Sequence, residues 1–439
     1  MSTRDETLLE VPGGYGPPVL GKLQQTLSFG RDWRGFLAAR SARYGSTVFR
    51  THVGLKAITV IDPDAIRVLF DPERVRKPYG FGPRVPPPKI VGEICPTAFT
   101  DGERHRKLKS LYIGMMRRGS SDLVSTFDRT ATPWFERWAR TGHFDLTQGI
   151  ADVLADFFFE WTLGARLPKD DLNLWVQNAI PFKLLPLPSP RQARVRAAFD
   201  RLTAAVRAAP RFSELLKEVG DEPGLDEVEL SRDLVFTLVI NGWAGTVSLV
   251  RSVMAELSRH PDHAAALRQA LAPFAPRDLD LQTLSSLEPL DHFLKEVLRM
   301  HPCVPISYGV ARADLVLETR TGRYRVRSGE VLMGVIETVQ HDPACFEAPE
   351  EFRPERFADP SALEYLVWPA GSVTAPVAPG DKVCAGRDEA MLIGALFAAR
   401  LLRGYQWELE EKPEWTKPLA SGNVAATPLR VSSFAPIDS

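Results

Sequence analysis

Apolar residues recur every three or four positions over long stretches of the chain, a spacing that lines them up on one face of a helix. The pattern predicts helices over Trp33–Tyr44, Ala65–Phe70, Arg104–Arg118, Ser120–Thr141, Leu146–Leu163 and Gln192–Ala209. It continues through Glu229–Arg259, Pro261–Leu271, Leu287–Met300 and Ala385–Leu402, the last stopped by Gly404. Shorter runs rich in β-branched residues read as strands: Thr47–Thr51, Ala57–Ile61, Ala313–Glu318, Arg323–Val326 and Val331–Val335. Val11–Pro18 and Val75–Pro88 are dense in Gly and Pro and read as non-helical, and Asp342–Pro360 reads as a Pro-rich meander. No repeat, low-complexity segment or linker divides the chain. The expected fold is therefore mainly α with small β-sheets (α+β) toward both ends, in a single large domain over residues 1–439.

The uncharged stretch Leu234–Val250 would span about 25 Å as a helix, short of the roughly 30 Å hydrocarbon core of a bilayer. It also carries Asn241, Gly242 and Gly245, and it reads as a buried helix. Met1–Gly13 is polar, with no basic stretch followed by an apolar run, so neither a signal nor a transit peptide is expected. A cytoplasmic protein is the expectation. Lys and Arg number 54 against 55 Asp and Glu, a balance that argues against a general nucleic-acid binder. Cys95, Cys303, Cys345 and Cys384 are too scattered for a disulfide framework or a zinc ribbon, and the histidines show no metal-ligand spacing.

Two constellations carry chemistry. Gly380-Asp381-Lys382-Val383-Cys384-Ala385-Gly386-Arg387-Asp388 leads into a helix, whose free N–H groups and dipole would stabilise a thiolate at Cys384. Such a thiolate suits the axial position of haem iron. A buried core cysteine is the alternative. Glu296 and Arg299 share a helix face and sit among apolar neighbours, so the pair needs a further partner. Phe352-Arg353-Pro354-Glu355-Arg356-Phe357 offers Arg356.

A helical Glu-x-x-Arg, a Pro-Glu-Arg-Phe meander and a Cys-x-Gly opening a helix, in that order, resemble a cytochrome P-450. The resemblance implies that fold, with haem b buried between the helix carrying Asn241 and the helix after Cys384. It makes Cys384 the iron ligand and Glu296, Arg299 and Arg356 a buried structural triad. The chain departs from the usual pattern of that superfamily. Val377 and Lys382 stand where a Phe and an Arg or His are usual before the cysteine, and a long loop separates Trp368-Pro369-Ala370-Gly371 from Cys384. Thr246 has no acid before it in Val239-Ile240-Asn241-Gly242-Trp243-Ala244-Gly245-Thr246, so the pair that relays protons to bound oxygen is absent. These departures, with Pro12–Gly16, Ser46–Thr51 and Val304–Gly309, resemble the allene oxide synthase, hydroperoxide lyase and divinyl ether synthase branch.

That branch implies rearrangement of a polyunsaturated fatty-acid hydroperoxide by O–O homolysis, with no O2 and no redox partner. Asn241 would hold the peroxide over the haem; the alternative is a helix Asn bonded to a carbonyl. Phe81 would offer an aromatic face to a carbon radical and favours allene oxide synthase; the alternative is a loop aromatic packed on the core. Hydroperoxide lyase comes next, then epoxyalcohol or divinyl ether synthase. His105, Lys109 and Lys382 would hold haem propionates, unless they are solvated charge. Val304 and Leu429 would line the substrate pocket. A monomer or weak oligomer is expected, with peripheral membrane contact left open. The rivals are an electron-fed monooxygenase and a non-catalytic haem-binding sensor.

Overall fold

The computed structural model describes residues 7–77, 96–179, 190–220, 225–274, 279–368, 371–415 and 427–437. Two helices, α1 (Leu20–Arg31) and α2 (Trp33–Tyr44), open the chain. The Asp32 carboxylate caps α2 by accepting from the Gly35 N–H at 3.1 Å, and Gly45 ends it at φ 57°. They pack on a five-stranded sheet in the order β2 (Val48–Val53), β3 (Leu55–Val60), β9 (Val331–Val335), β6 (Ile306–Ala311) and β4 (Val75–Arg76). Smaller sheets join β1 (Leu8–Glu10), β8 (Gly322–Val326) and β7 (Leu315–Thr319), and β12 (Tyr405–Leu409), β13 (Arg430–Pro436) and β5 (Phe144–Asp145).

The remainder is helical: α3 (Gly102–Gly119), α4 (Leu123–Thr141), α5 (Leu146–Leu163), α6 (Lys169–Ala179), α7 (Pro190–Arg207) and α8 (Phe212–Val219) precede the central helix. That helix, α9 (Glu227–Arg259), is followed by α10 (Pro261–Leu271), α11 (Leu281–Ser286), α12 (Glu288–Met300), α13 (Ile336–Gln340) and α14 (Arg387–Gly404). Helix α9 is long and apolar enough to cross a membrane, yet most of that stretch is buried against α5, α12 and α14. Its middle turn, Phe236–Ala244, is π-helical. Gly242 lies there because a Cβ would come within 2.4 Å of the Phe158 ring on α5. Near its start, Asp233 accepts from the Thr97 N–H and hydroxyl, both at 2.6 Å, and from the Tyr112 hydroxyl at 2.5 Å, which ties α9 to α3. Burial pushes the Asp233 carboxyl up, and those donors act against it.

Glu296, Arg299 and Arg356 meet with Glu296 and Arg299 fully buried. Arg299 grips the carboxylate with two bonds, at 2.8 and 2.9 Å. The Arg356 Nε–H reaches both oxygens at 3.1 Å, and the Arg353 N–H adds a bond at 2.8 Å. The remaining guanidinium donors are spent on meander carbonyls: Arg299 on Pro349 and Glu351, Arg356 on Glu347 and Glu351. Gln340 extends the network. Its amide donates to the last carbonyls of α12, Leu298 and Arg299, and its oxygen accepts from the Val367 N–H at 2.9 Å. Val367 opens the hairpin β10 (Val367–Trp368) and β11 (Gly371–Ser372), which leads to Cys384.

Glu296 is fully buried and answered by both Arg299 and Arg356, and breaking a buried ion-pair network by removing one partner costs roughly 3–5 kcal/mol. Arg356→Ala should therefore lower the urea midpoint strongly without a change in slope. An unchanged midpoint would show that Glu296 is satisfied by Arg299 alone.

Candidate active site

Cys384 lies two residues ahead of the N-cap of α14, Gly386. The long loop before it is held from three sides. Arg387 donates to the Ala375 carbonyl at 2.6 Å, and the Asp381 carboxylate accepts from the Val383 and Ala378 N–H groups at 2.8 Å each. The β10–β11 hairpin pairs Trp368 with Gly371, placing Trp368 beside the cysteine although sixteen positions separate them in sequence. Burial pushes the Cys384 thiol up, and Glu389 adds to this. The Gly386 N–H, the Trp368 side chain and the Lys109 charge favour the thiolate. A coordinated metal ion would complete the ionisation. Cys303 and Cys345 are both pushed up to about 12, chiefly by burial. Cys95 lies outside the described residues.

The structure brings His105, Lys109 and Lys382 together, but spends them on the protein itself. His105 contacts the Asp381 carbonyl through Nε2 at 2.8 Å and the Thr97 carbonyl through Nδ1 at 3.0 Å. Burial and the Lys382 charge lower its pKa. Lys109 donates to the Asp381 carbonyl at 2.9 Å and pairs with its carboxylate. Lys382 pairs with Asp101 at 3.1 Å and donates to the Thr100 carbonyl. The three thus anchor the cysteine loop to α3 instead of standing free for propionates. Lys77 differs. Its ammonium donates to the Ser307 hydroxyl at 2.9 Å and lies 4.8 Å above the Phe70 ring. Burial, with the nearby Lys382 charge, pushes it down to about 7, and it has no carboxylate partner among the described residues. Sequence reasoning passed over Lys77 because one Lys after Val75-Arg76 carries no motif.

Asn241 sits within the π-helical turn of α9. It is exposed, whereas Leu238, Val239, Ile240 and Trp243 around it are buried. The Thr246 hydroxyl donates to the Gly242 carbonyl at 2.8 Å, within its own helix. The Cys303 thiol approaches the Gly245 carbonyl at 3.8 Å, and Val304 after it is half-buried. Leu429 departs from expectation. It is 1% exposed, its N–H is bonded to the Thr147 hydroxyl at 2.8 Å, and its carbonyl accepts from the Leu146 N–H. It packs in the core at the start of α5 rather than lining an open pocket. Phe81 lies outside the described residues.

A half-buried cysteine at the mouth of one helix and an accessible amide on a distorted central helix are features of a haem-thiolate protein. No cluster of three His, Cys, Asp or Glu residues suited to a bare metal ion occurs among the described residues. The chain belongs to the cytochrome P-450 family, whose model matches residues 213–432. It is 27% identical to an allene oxide synthase of Parthenium argentatum, over 94% of this chain and 97% of that one. It is also 27% identical to a divinyl ether synthase of Selaginella moellendorffii, covering 94% and 95%. A fatty acid hydroperoxide lyase of Solanum lycopersicum is 25% identical, covering 90% and 93%. Among solved structures, retinoic acid-bound cyanobacterial CYP120A1 shares the fold, with a TM-score of 0.76 at 22% identity over 98% of this chain and all of that one. The family's cofactor is a thiolate-ligated haem. The residues fit it: Cys384 is only half-buried, Asn241 is accessible on an otherwise buried stretch, and the half-buried Lys77, with no carboxylate partner among the described residues, could pair with a propionate.

A hydrogen bond to a charged group contributes roughly 1.5–3 kcal/mol. Lys77→Met should therefore release haem to apomyoglobin about ten- to a hundredfold faster, with Lys77→Arg close to wild type. Equal release rates for Met and wild type would remove Lys77 from the cofactor site.

Proposed function

We propose that the chain is a haem-thiolate enzyme that rearranges polyunsaturated fatty-acid hydroperoxides without O2 or a reductase, as an allene oxide synthase. The observation that carries this reading is the polar composition of the central helix. Asn241 is the exposed residue of the π-helical turn Phe236–Ala244, and Thr246, with Gly245 before it, uses its hydroxyl inside the helix. A monooxygenase needs protons delivered to oxygen, and an amide cannot supply them. A hydroperoxide brings its own O–O bond, so the missing acid costs nothing. Bound haem supplies an iron, ligated by Cys384, that splits this bond homolytically.

The protein's own groups then have separate tasks. The Asn241 amide donates to one peroxide oxygen and fixes its position. Ile240 and Trp243 beside it in sequence are buried, and the Trp243 indole N–H is spent on the Ala151 carbonyl at 3.0 Å. Phe81 offers a π face to the epoxy radical that follows ring closure of the alkoxyl radical. The similarity to allene oxide synthases, divinyl ether synthases and a hydroperoxide lyase supports the substrate class, and their near-equal identities leave the product to residues of the pocket. Hydroperoxide lyase is the second reading for that reason. Cys384 and Asn241 come from one chain, so a single haem domain suffices.

The ferric enzyme mixed with 9- or 13-hydroperoxides, with no NADPH, should consume them and yield allene oxide, seen by mass spectrometry as ketols. Asn241→Leu should keep haem and fold but lose kcat/KM by about 1–3 kcal/mol. Turnover that requires a reductase would sink the reading, and a wild-type rate in Asn241→Leu would make Asn241 structural.

Product choice needs little energy, since about 1.4 kcal/mol changes a branching ratio tenfold. Phe81→Leu should shift products from ketols toward short-chain aldehydes. Aldehydes from the wild type, or an unchanged ratio in the variant, would favour lyase.

A further inference from the structure

Asp233 is 1% exposed, on the same helix as Asn241 and near its start. Its three donors are neutral, and two of them belong to one residue. Thr97 gives its N–H to Oδ1 and its hydroxyl to Oδ2, both at 2.6 Å, and the Tyr112 hydroxyl is the third. Thr97 opens a short 3-10 turn, Thr97–Phe99, and the Phe99 ring packs edge-on against Phe236 of α9 with centroids 5.5 Å apart. The turn is thus held to α9 at one polar and one apolar point. A buried carboxylate is a costly fastener, since an apolar side chain would avoid the desolvation. What it adds is direction: two bonds of fixed geometry locate Thr97 more tightly than packing alone.

The cysteine loop is tied to this same turn. The Thr97 carbonyl lies 3.0 Å from His105 Nδ1, and Nε2 of that ring lies 2.8 Å from the Asp381 carbonyl. A neutral imidazole has one N–H and cannot donate to both carbonyls. Lys382 completes the arrangement. Its ammonium lies 3.3 Å from His105 Nδ1 and donates to the Thr100 carbonyl. A neutral ring with its proton on Nε2 accepts from Lys382 at Nδ1; a charged ring donates to Thr97 instead. Both states end on residues Thr97–Thr100. The path runs from Asp233 through this turn to Asp381 and Lys382, and the Asp381 carboxylate holds the N–H of Val383, the residue before Cys384, at 2.8 Å. The helix that carries Asn241 and the loop that carries Cys384 are thereby referenced to each other by protein contacts alone.

We propose that Asp233 is a positioning residue for the haem thiolate, fixing the Cys384 loop through Thr97, His105 and Lys382. The proposal rests on Cys384 as the iron ligand, whose donor strength depends on how its surroundings orient it. The test is the iron–sulfur stretching band of the ferric, haem-loaded full chain, read by resonance Raman. Asp233→Ala and His105→Phe should each shift and broaden the band. Asp233→Ala/His105→Phe should shift it by less than the sum of the two, because both act along one path. Tyr112→Phe removes a bond from the same carboxylate but leaves both Thr97 bonds, and it should keep the wild-type band. A wild-type band in Asp233→Ala, with only the thermal midpoint lowered, would make Asp233 purely structural and overturn the proposal. Shifts that add in the double variant would overturn it too. If Asp233→Ala does not fold, Thr97→Val, which removes one hydroxyl and no charge, decides by the same band. A band that persists in Cys384→Ser would overturn the ligand assignment and the proposal with it. A band lost in Cys384→Ser yet unmoved in Asp233→Ala and Thr97→Val would overturn the proposal alone.

Discussion

Glu296 holds two guanidinium groups, from α12 and from the meander, with its carboxylate fully buried. An isolated carboxylate could not stay ionised in such a place. The energy of the site therefore depends on donors from two segments, Arg299 on α12 and Arg353 and Arg356 on the meander. Gln340 completes the chain of dependence. By bonding α12 at one end and Val367 at the other, it carries the position of Glu296 to the hairpin that bears Trp368. The cysteine loop is thereby referenced to a helix it does not follow in sequence.

A second fastening comes from the opposite direction. Asp381 collects His105 and Lys109 from α3, and Lys382 reaches back to Asp101. The loop between Gly371 and Val383 is long, and a free loop would blur the cysteine's position. Pinned at Arg387, at Asp381 and through the hairpin, it presents Cys384 rigidly. That rigidity suits an axial ligand, whose donor strength depends on fixed neighbours such as Trp368 and Lys109.

The sequence displayed the long amphipathic helices plainly, with α2 and α5 bounded as expected, because strong apolar periodicity and good caps coincide there. It also displayed the Glu-x-x-Arg helix and the cysteine loop, since both are local patterns. What it hid were features without a local signature. Helix α1 follows a Gly/Pro run, includes Gly21 and Gly30, and exposes its leucines, so it does not read as a core helix. Helices α6 and α8 lie where no motif drew notice, and strand β6 is visible only through the motif Val304–Gly309, not as a strand. The partners of His105 and Lys109 come from more than 270 positions away, and solitary Lys77 has meaning only through Ser307. Leu429 looked like a pocket residue by analogy of position, but its backbone N–H is tied to Thr147 on α5.

The π-helical turn in α9 separates two registers. Before it, Asp233 must face Tyr112; after it, Leu249 must face Gly394 and α14. Each residue added to an α-helix rotates the remainder of that helix by roughly 100°, so one helix could not satisfy both faces and still choose where Asn241 points. A widened turn absorbs the surplus, much as a leap day keeps two calendars in step. Deleting one residue between Phe236 and Ala244 would turn Leu249 away from Gly394 by roughly 100°, so the length of this segment is fixed by the packing at both of its ends.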